Sequence, residues 1–194
     1  MKVLLVDLNT RLCEQWQIAF DNVADVHIHN APFESLMGEF DCFVSPANSF
    51  GLTDGGIDES IIQYFGQALQ DSVQREIWRC YRGEQPVGTC LMVPTANKQC
   101  AWLAHCPTMR IPMDVSQTNH AYAAFITALI SAEAAGVKTL ACPGLGTLTG
   151  RMPPDVAARQ MRFAFDRWHA PFTQPNWQTP QDLWRSYGRP EAKS

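Results

Sequence analysis

The sequence predicts a three-layer α/β/α sandwich with a mixed, mostly parallel central sheet. Three observations carry this reading. Short apolar runs alternate with amphipathic segments along the 194 residues. Hydrophobic residues make up 46% of the chain, enough for one well-buried core. Two glycine-rich loops follow apolar runs and open helices, the place where open α/β sheets take ligands.

Taken in order, Lys2–Asp7 reads as a strand. It ends in Asp7-Leu8-Asn9-Thr10, a helix-capping sequence ahead of an amphipathic helix over Arg11–Phe20. Asp25–His29 and Cys42–Ser45 are the second and third strands, the latter stopped by Pro46, which cannot donate to a ladder. Ile57–Tyr81 is long and mostly helical, with Gly66 as a break or bend. Val87–Pro94 and Ala101–Cys106 are consecutive strands. Alanine-rich Thr118–Ala135 is a helix stopped by Gly136. Lys138–Cys142 is a buried strand, and Pro153–Trp168 is a helix opened by proline, whose missing N–H costs nothing there. The expected organisation is one domain over residues 1–169, with the N-terminal strand and helix as an added or permuted unit. Residues 170–194 form an irregular aromatic tail laid over the surface as a strap, with one short helix over Pro180–Tyr187.

Charged residues are 18% of the chain, below a typical ~25%, and the net charge is -4. That balance argues against an electrostatic nucleic-acid footprint, so nucleic acid enters only as a possible modified substrate. No apolar run approaches the ~20 residues of a membrane span. Asp7 interrupts the N-terminal apolar run too early for a signal peptide. The seven cysteines then read as reduced thiols, and the expected location is cytoplasmic. Cys100, His105, Cys106 and His120 match no zinc-ligand spacing, so no metal is expected. No cofactor is expected either.

The chemistry concentrates in the two loops. The first runs from Ser45 to Asp58 (SPANSFGLTDGGID) and the second from Pro143 to Pro153 (PGLGTLTGRMP). A glycine-rich turn entering a helix exposes free N–H groups at the positive end of the helix dipole, and accepts phosphate without a basic side chain. Two such loops suggest a diphosphate gripped from both sides. Neither is a Walker sequence nor a G-x-G-x-x-G fingerprint.

Asp41-Cys42-Phe43-Val44-Ser45-Pro46-Ala47-Asn48 followed by Asp54-Gly55-Gly56-Ile57-Asp58 resembles the macrodomain signature, V-N-A-A-N followed by G-G-G-V-D. The second loop resembles that family's other phosphate loop, P-A-x-x-T-G-x-x-G-x-P. The resemblance spans roughly residues 25–168 and points to members that process ADP-ribose-1''-phosphate. It implies that the chain binds ADP-ribose or a related NAD-derived nucleotide and hydrolyses an ADP-ribosyl linkage or a phosphorylated derivative. It further implies Asn48 as the amide on the distal ribose and Asp58 as the acid associated with hydrolysis. The remaining implied ligand contacts are Ser45, Ala47, Phe50, Gly55, Gly56 and Ile57 from the first loop. From the second come Pro143, Gly144, Leu145, Gly146, Thr147, Leu148, Thr149 and Gly150.

The departures from the family pattern are specific. Ser45 replaces the first asparagine, and Leu148 a loop glycine. Gly150 replaces an aromatic that packs on the distal ribose, with Phe50 as a substitute surface. The register of the adenine-reading aspartate falls at Asn30-Ala31-Pro32, which has no carboxylate, leaving Asn30 or Asp7 to compensate or adenine to be read loosely. No clear strand follows the last helix, where the family has its final one; Lys2–Asp7 is expected to fill that slot by permutation, the alternative being an added edge strand.

Hydrolysis at the anomeric carbon passes through an oxocarbenium-like centre, as glycoside hydrolysis does. A carboxylate can orient and deprotonate water there or stabilise the developing charge. Asp58 fits that role as the catalytic carboxylate and Asn48 as the orienting amide; the plainer reading of Asp58 is a first-turn acid complementing the helix dipole. Asp54 is a second acid whose plainer reading is a turn residue. His105 reads as a packed histidine, and Arg110 and Arg151 as surface charges or anion contacts. Two other classes remain open: a reader that binds ADP-ribose without turning it over, and a nucleotide-free interaction scaffold.

Overall fold

The computed structural model describes residues 1–53 and 55–171. Asp54 and the tail beyond Pro171, with the expected strap and its helix, lie outside the described residues. The elements are β1 (Lys2–Val6), α1 (Thr10–Ala19), β2 (Val26–His29), a short 3-10 helix (Phe33–Leu36), β3 (Cys42–Ser45), α2 (Gly56–Phe65), α3 (Gln67–Tyr81), β4 (Leu91–Asn97), β5 (Cys100–His105), α4 (His120–Ala134), β6 (Thr139–Cys142) and α5 (Pro154–His169). They form one six-stranded sheet in the order β2-β1-β6-β3-β5-β4, with β4 antiparallel and the rest parallel. The fold is the predicted α/β/α sandwich.

The layers follow from strand alternation. On β1, Val3 and Leu5 enter one core with α1, α4 and α5, whereas Leu4 and Val6 enter the other with α2 and α3. Asn9 caps α1 through a bond from the Leu12 N–H, as its sequence predicted. In α4, Ala121, Ala124 and Ala128 are fully buried and let the helix lie close to Ala157, Ala158 and Ala164 of α5.

The break expected at Gly66 is there: with φ of 90° it ends α2 and starts α3. The bounds of the fourth strand need correction. The fourth strand begins at Leu91, after a turn in which the Thr89 N–H donates to the Pro86 carbonyl; Pro94 is tolerated inside it because β4 is an edge strand. β1 is not an added edge strand: it pairs with β2 on one side and β6 on the other.

The topology opens a crevice. The loop after β1 leads to α1 on one face of the sheet, and the loop after β3 leads to α2 on the other. β6 lies between these strands and sends its loop to α5, on the α1 face. Loops that diverge to opposite faces leave a cleft at the carboxyl ends of the strands.

Candidate functional site

A cavity of about 760 Å³ fills that crevice. Its lining brings together Ala47, Asn48, Gly55, Gly56, Ile57 and Asp58 from the first loop. Pro143, Gly144, Gly146, Thr147, Leu148, Thr149 and Gly150 join them from the second. Three of the implied ligand contacts do not line it. Ser45 lies buried beneath Asp58, and Leu145 belongs to the core. The Arg110 guanidinium covers the Phe50 ring, 5.4 Å from its centroid, so Phe50 offers no surface to the cavity.

The first loop is built as an extension of the sheet. The Cys106 N–H donates to the Ser45 carbonyl (2.9 Å), the Thr108 N–H to Ala47 (2.9 Å) and the Ser49 N–H to Arg110 (3.1 Å). Asn48 then spends its side chain on the loop itself. Its Oδ1 accepts from the Phe50 N–H (3.0 Å) and the Leu52 N–H (3.3 Å), and its Nδ2 donates to the Leu52 carbonyl (2.7 Å). This is the Asx geometry that shapes turns. Asp58, third residue of α2, is nearly buried, and its Oδ1 accepts from the Ser45 hydroxyl at 2.6 Å.

The second loop is braced at its base. The Gly144 N–H donates to Asp7 Oδ2 (2.9 Å), the Met152 N–H to Gly146 (2.9 Å) and the Val115 N–H to Gly150 (2.8 Å). The glycine at position 150 has a packing reason: a Cβ there would lie 2.5 Å from the Gly146 carbonyl oxygen. An aromatic cannot occupy this position with the loop in this shape. Leu148 sits at the exposed tip, and its Cδ2 leans across the cleft to within 3.2 Å of where a Gly56 Cβ would be.

The cavity wall has a distinctive polarity. Among the described residues no lysine, arginine or histidine lines it, whereas Asp7, Glu34 and Asp58 do. Among the described residues, the N–H groups of Gly146, Thr147, Leu148 and Thr149 have no protein acceptor. No side chain of its N-cap residue caps α2 either. Gly146 is buried and Thr147 half-buried, and N–H groups so placed demand acceptors. A run of open N–H groups on the cavity wall beside the start of α2 is the backbone arrangement that accepts an anion.

Asp7 was one of two residues suggested by the sequence to replace the adenine-reading acid. It lines the cavity, but its carboxylate is engaged by the N–H groups of Gly144 and Asn9 (2.8 Å). The other, Asn30, is outside the cavity and ties β2 to the β1–α1 loop, with Nδ2 donating to the Asp7 carbonyl. Glu34, Thr108, Met109 and Pro112 also line the cavity. Sequence reasoning missed Glu34 because the short 3-10 turn that carries it has no periodic signature; its proximity to Ala31 and Pro32 was the available signal.

His105 is packed beneath the sheet ends, as expected. Its Nδ1 bonds Gln85 Oε1 (2.7 Å), and burial pushes its pKa down to about 3. Arg110 pairs with Glu84 at 2.6 Å on the exposed surface, and Arg151 does not line the cavity. Burial raises the thiols of Cys42, Cys106 and Cys142 well above the usual range, with neighbouring groups adding to the rise. Among the described residues no cluster of His, Cys, Asp and Glu could hold a metal ion. No helix of the described residues is long and apolar enough to cross a membrane.

The sequence profile of the Macro domain family matches residues 44–161, more than half of the chain. An uncharacterized protein of Aquifex aeolicus (strain VF5) is 33% identical over 122 residues, which cover 62% of this chain and 70% of that protein. The macrodomain of Mycobacterium tuberculosis DarG is structurally similar, with a TM-score of 0.58 at 18% identity, over 66% of this chain and 82% of that one. The Oceanobacillus iheyensis macrodomain with ADP has a TM-score of 0.57 at 16% identity, over 67% of this chain and 70% of that one. A mutant of the same protein with ADPR has a TM-score of 0.55 at 16% identity, over 66% and 72%. At these identities the structural likeness speaks to the fold.

Proposed function

The chain belongs to the macrodomain family, and from that premise we propose that its cavity binds ADP-ribose or a related NAD-derived nucleotide. We propose further that it hydrolyses an ADP-ribosyl linkage or a phosphorylated ADP-ribose derivative. The observation that carries the first part is the convergence of both glycine loops on one cavity, whose wall, among the described residues, has unpaired backbone N–H groups and no basic side chain. Such a wall suits a pyrophosphate better than a carboxylate or a neutral ligand, because four or more N–H groups can share two negative charges. The ADP and ADPR in the Oceanobacillus structures support the same reading.

In the hydrolytic step, the second loop and the start of α2 hold the diphosphate still. The Asp58 carboxylate takes a proton from water as its oxygen bonds to the anomeric carbon, and the bond to the leaving group breaks. Asn48 acts mainly by shaping the loop, with its second amide hydrogen left to orient water or ribose. The substrate partner in this reading is an ADP-ribosylated molecule. A cytoplasmic setting is part of the reading, resting on the cysteine content.

Titration calorimetry with free ADP-ribose tests the first part: saturable binding below about 1 mM is expected. Turnover of ADP-ribosylated protein, nucleic acid and acyl substrates tests the second. Asp58→Ala is expected to lower it about 100-fold or more while binding persists. Binding without turnover of any linkage assigns a reader module. Absence of binding at millimolar concentration assigns an interaction scaffold.

A further inference from the structure

We propose that Ser45 is a positioning residue that aims the Asp58 carboxylate into the cavity, and that it is not a ligand contact; this rests on the hydrolytic reading above. Ser45 is the last residue of β3 and is almost fully buried. Its backbone cannot drift, since it lies opposite His105 of β5 and its carbonyl accepts from the Cys106 N–H at 2.9 Å. From this fixed point its hydroxyl reaches across a thirteen-residue separation to Asp58 Oδ1 at 2.6 Å. That is the length of a charge-assisted O–H···O⁻ bond.

Asp58 shares the first turn of α2 with a second acid, so the helix dipole alone does not account for its inward placement. Glu59 is also in the first turn of α2 and is exposed. Asp58 points inward, with 9% exposure, lines the cavity and is tied to a strand end. The intervening loop includes two backbone positions with positive φ, Gly51 and Gly56. A carboxylate carried only by that loop and the first turn of a helix would sample several orientations. The sheet is the rigid element within reach, and Ser45 is the side chain that transmits its rigidity. The family signature has asparagine where this chain has Ser45; a hydroxyl at this depth supplies one short donor to the carboxylate.

The experiment is steady-state hydrolysis of an ADP-ribosylated peptide by wild type, Ser45→Ala, Ser45→Thr, Asp58→Ala and the Ser45→Ala/Asp58→Ala double variant. Free ADP-ribose affinity and thermal midpoint are measured alongside. A positioning Ser45 predicts that Ser45→Ala lowers kcat about tenfold or more with KM and ADP-ribose affinity nearly unchanged. Ser45→Thr, which keeps the hydroxyl, restores most of kcat. The double variant is no slower than Asp58→Ala alone, since residues acting as a unit are not additive. A Ser45→Ala enzyme with wild-type kcat, or one weakened only in ADP-ribose affinity, overturns the proposal and leaves the hydrolytic reading standing. A wild type with no turnover of any ADP-ribosylated substrate overturns both.

Discussion

The Asp7 carboxylate at the end of the first strand accepts the N–H of Gly144, 137 residues later, at 2.9 Å. Its other oxygen accepts the Asn9 N–H at 2.8 Å. One side chain thus ties the entry of α1 to the base of the second loop, and both segments wall the cavity. Asp7→Ala removes two charge-assisted bonds and should destabilise the fold by about 1–2 kcal/mol. It should also weaken ADP-ribose binding several-fold by loosening the N–H cradle. Thermal melts and titration calorimetry read the two effects; an unchanged affinity would mean that the loop keeps its shape unaided.

Position 150 should reject any side chain. A Cβ there would approach the Gly146 carbonyl oxygen to 2.5 Å and Val115 Cγ2 to 2.6 Å. Relieving that overlap requires backbone movement, at about 1–3 kcal/mol. Gly150→Ala should therefore lower the denaturation midpoint and the ADP-ribose affinity together. Restoring the aromatic that other members carry, by Gly150→Phe, should be worse and not better.

Leu148 is 73% exposed at the tip of a braced loop, with its Cδ2 against Gly56 on the opposite wall. A ligand held below it would cover apolar surface that now faces water. Leu148→Gly should accelerate ADP-ribose dissociation several-fold in stopped-flow displacement, with thermal stability unchanged. Equal dissociation rates in the two proteins would show that the side chain does not bar the exit.

His105 makes stability sensitive to acid. Its buried imidazole has a pKa of about 3, against 6.5 for the ordinary group. The folded state therefore refuses a proton that the unfolded chain accepts. The associated stability is complete above about pH 6.5 and is lost as pH falls toward 3, the loss reaching roughly 3 kcal/mol at pH 4. Urea unfolding between pH 7 and pH 4 should show this slope in wild type and a shallower one in His105→Asn. Identical slopes would assign the acid sensitivity to carboxylates.

Much of the candidate site was legible because its signals are local. Glycines beside a strand end, a proline stopping a strand and an acid in a first helical turn each declare backbone geometry within a few residues. Hence Gly55, Gly56, Asp58, Gly144 and Gly146 meet in one cavity as their sequence positions suggested. The failures concern side chains with a choice of partners. Phe50 lies two residues after Asn48, yet its ring turns under the Arg110 guanidinium, which Glu84 holds from before β4. Asn48 is engaged by Phe50 and Leu52, so its amide builds the loop before it can serve a ligand.

Periodicity and turn chemistry by themselves determined the alternating strands and helices and the two glycine-rich loops, since these depend on neighbours a few positions apart; the family was legible only through the resemblance of those loops to a known signature. Whether β1 sits at an edge or inside the sheet, which acid braces Gly144, and which hydroxyl holds Asp58 depend on contacts between distant segments. Strand order is chosen by the burial of both sheet faces at once, an energy summed over the whole core, and no short window of residues encodes it.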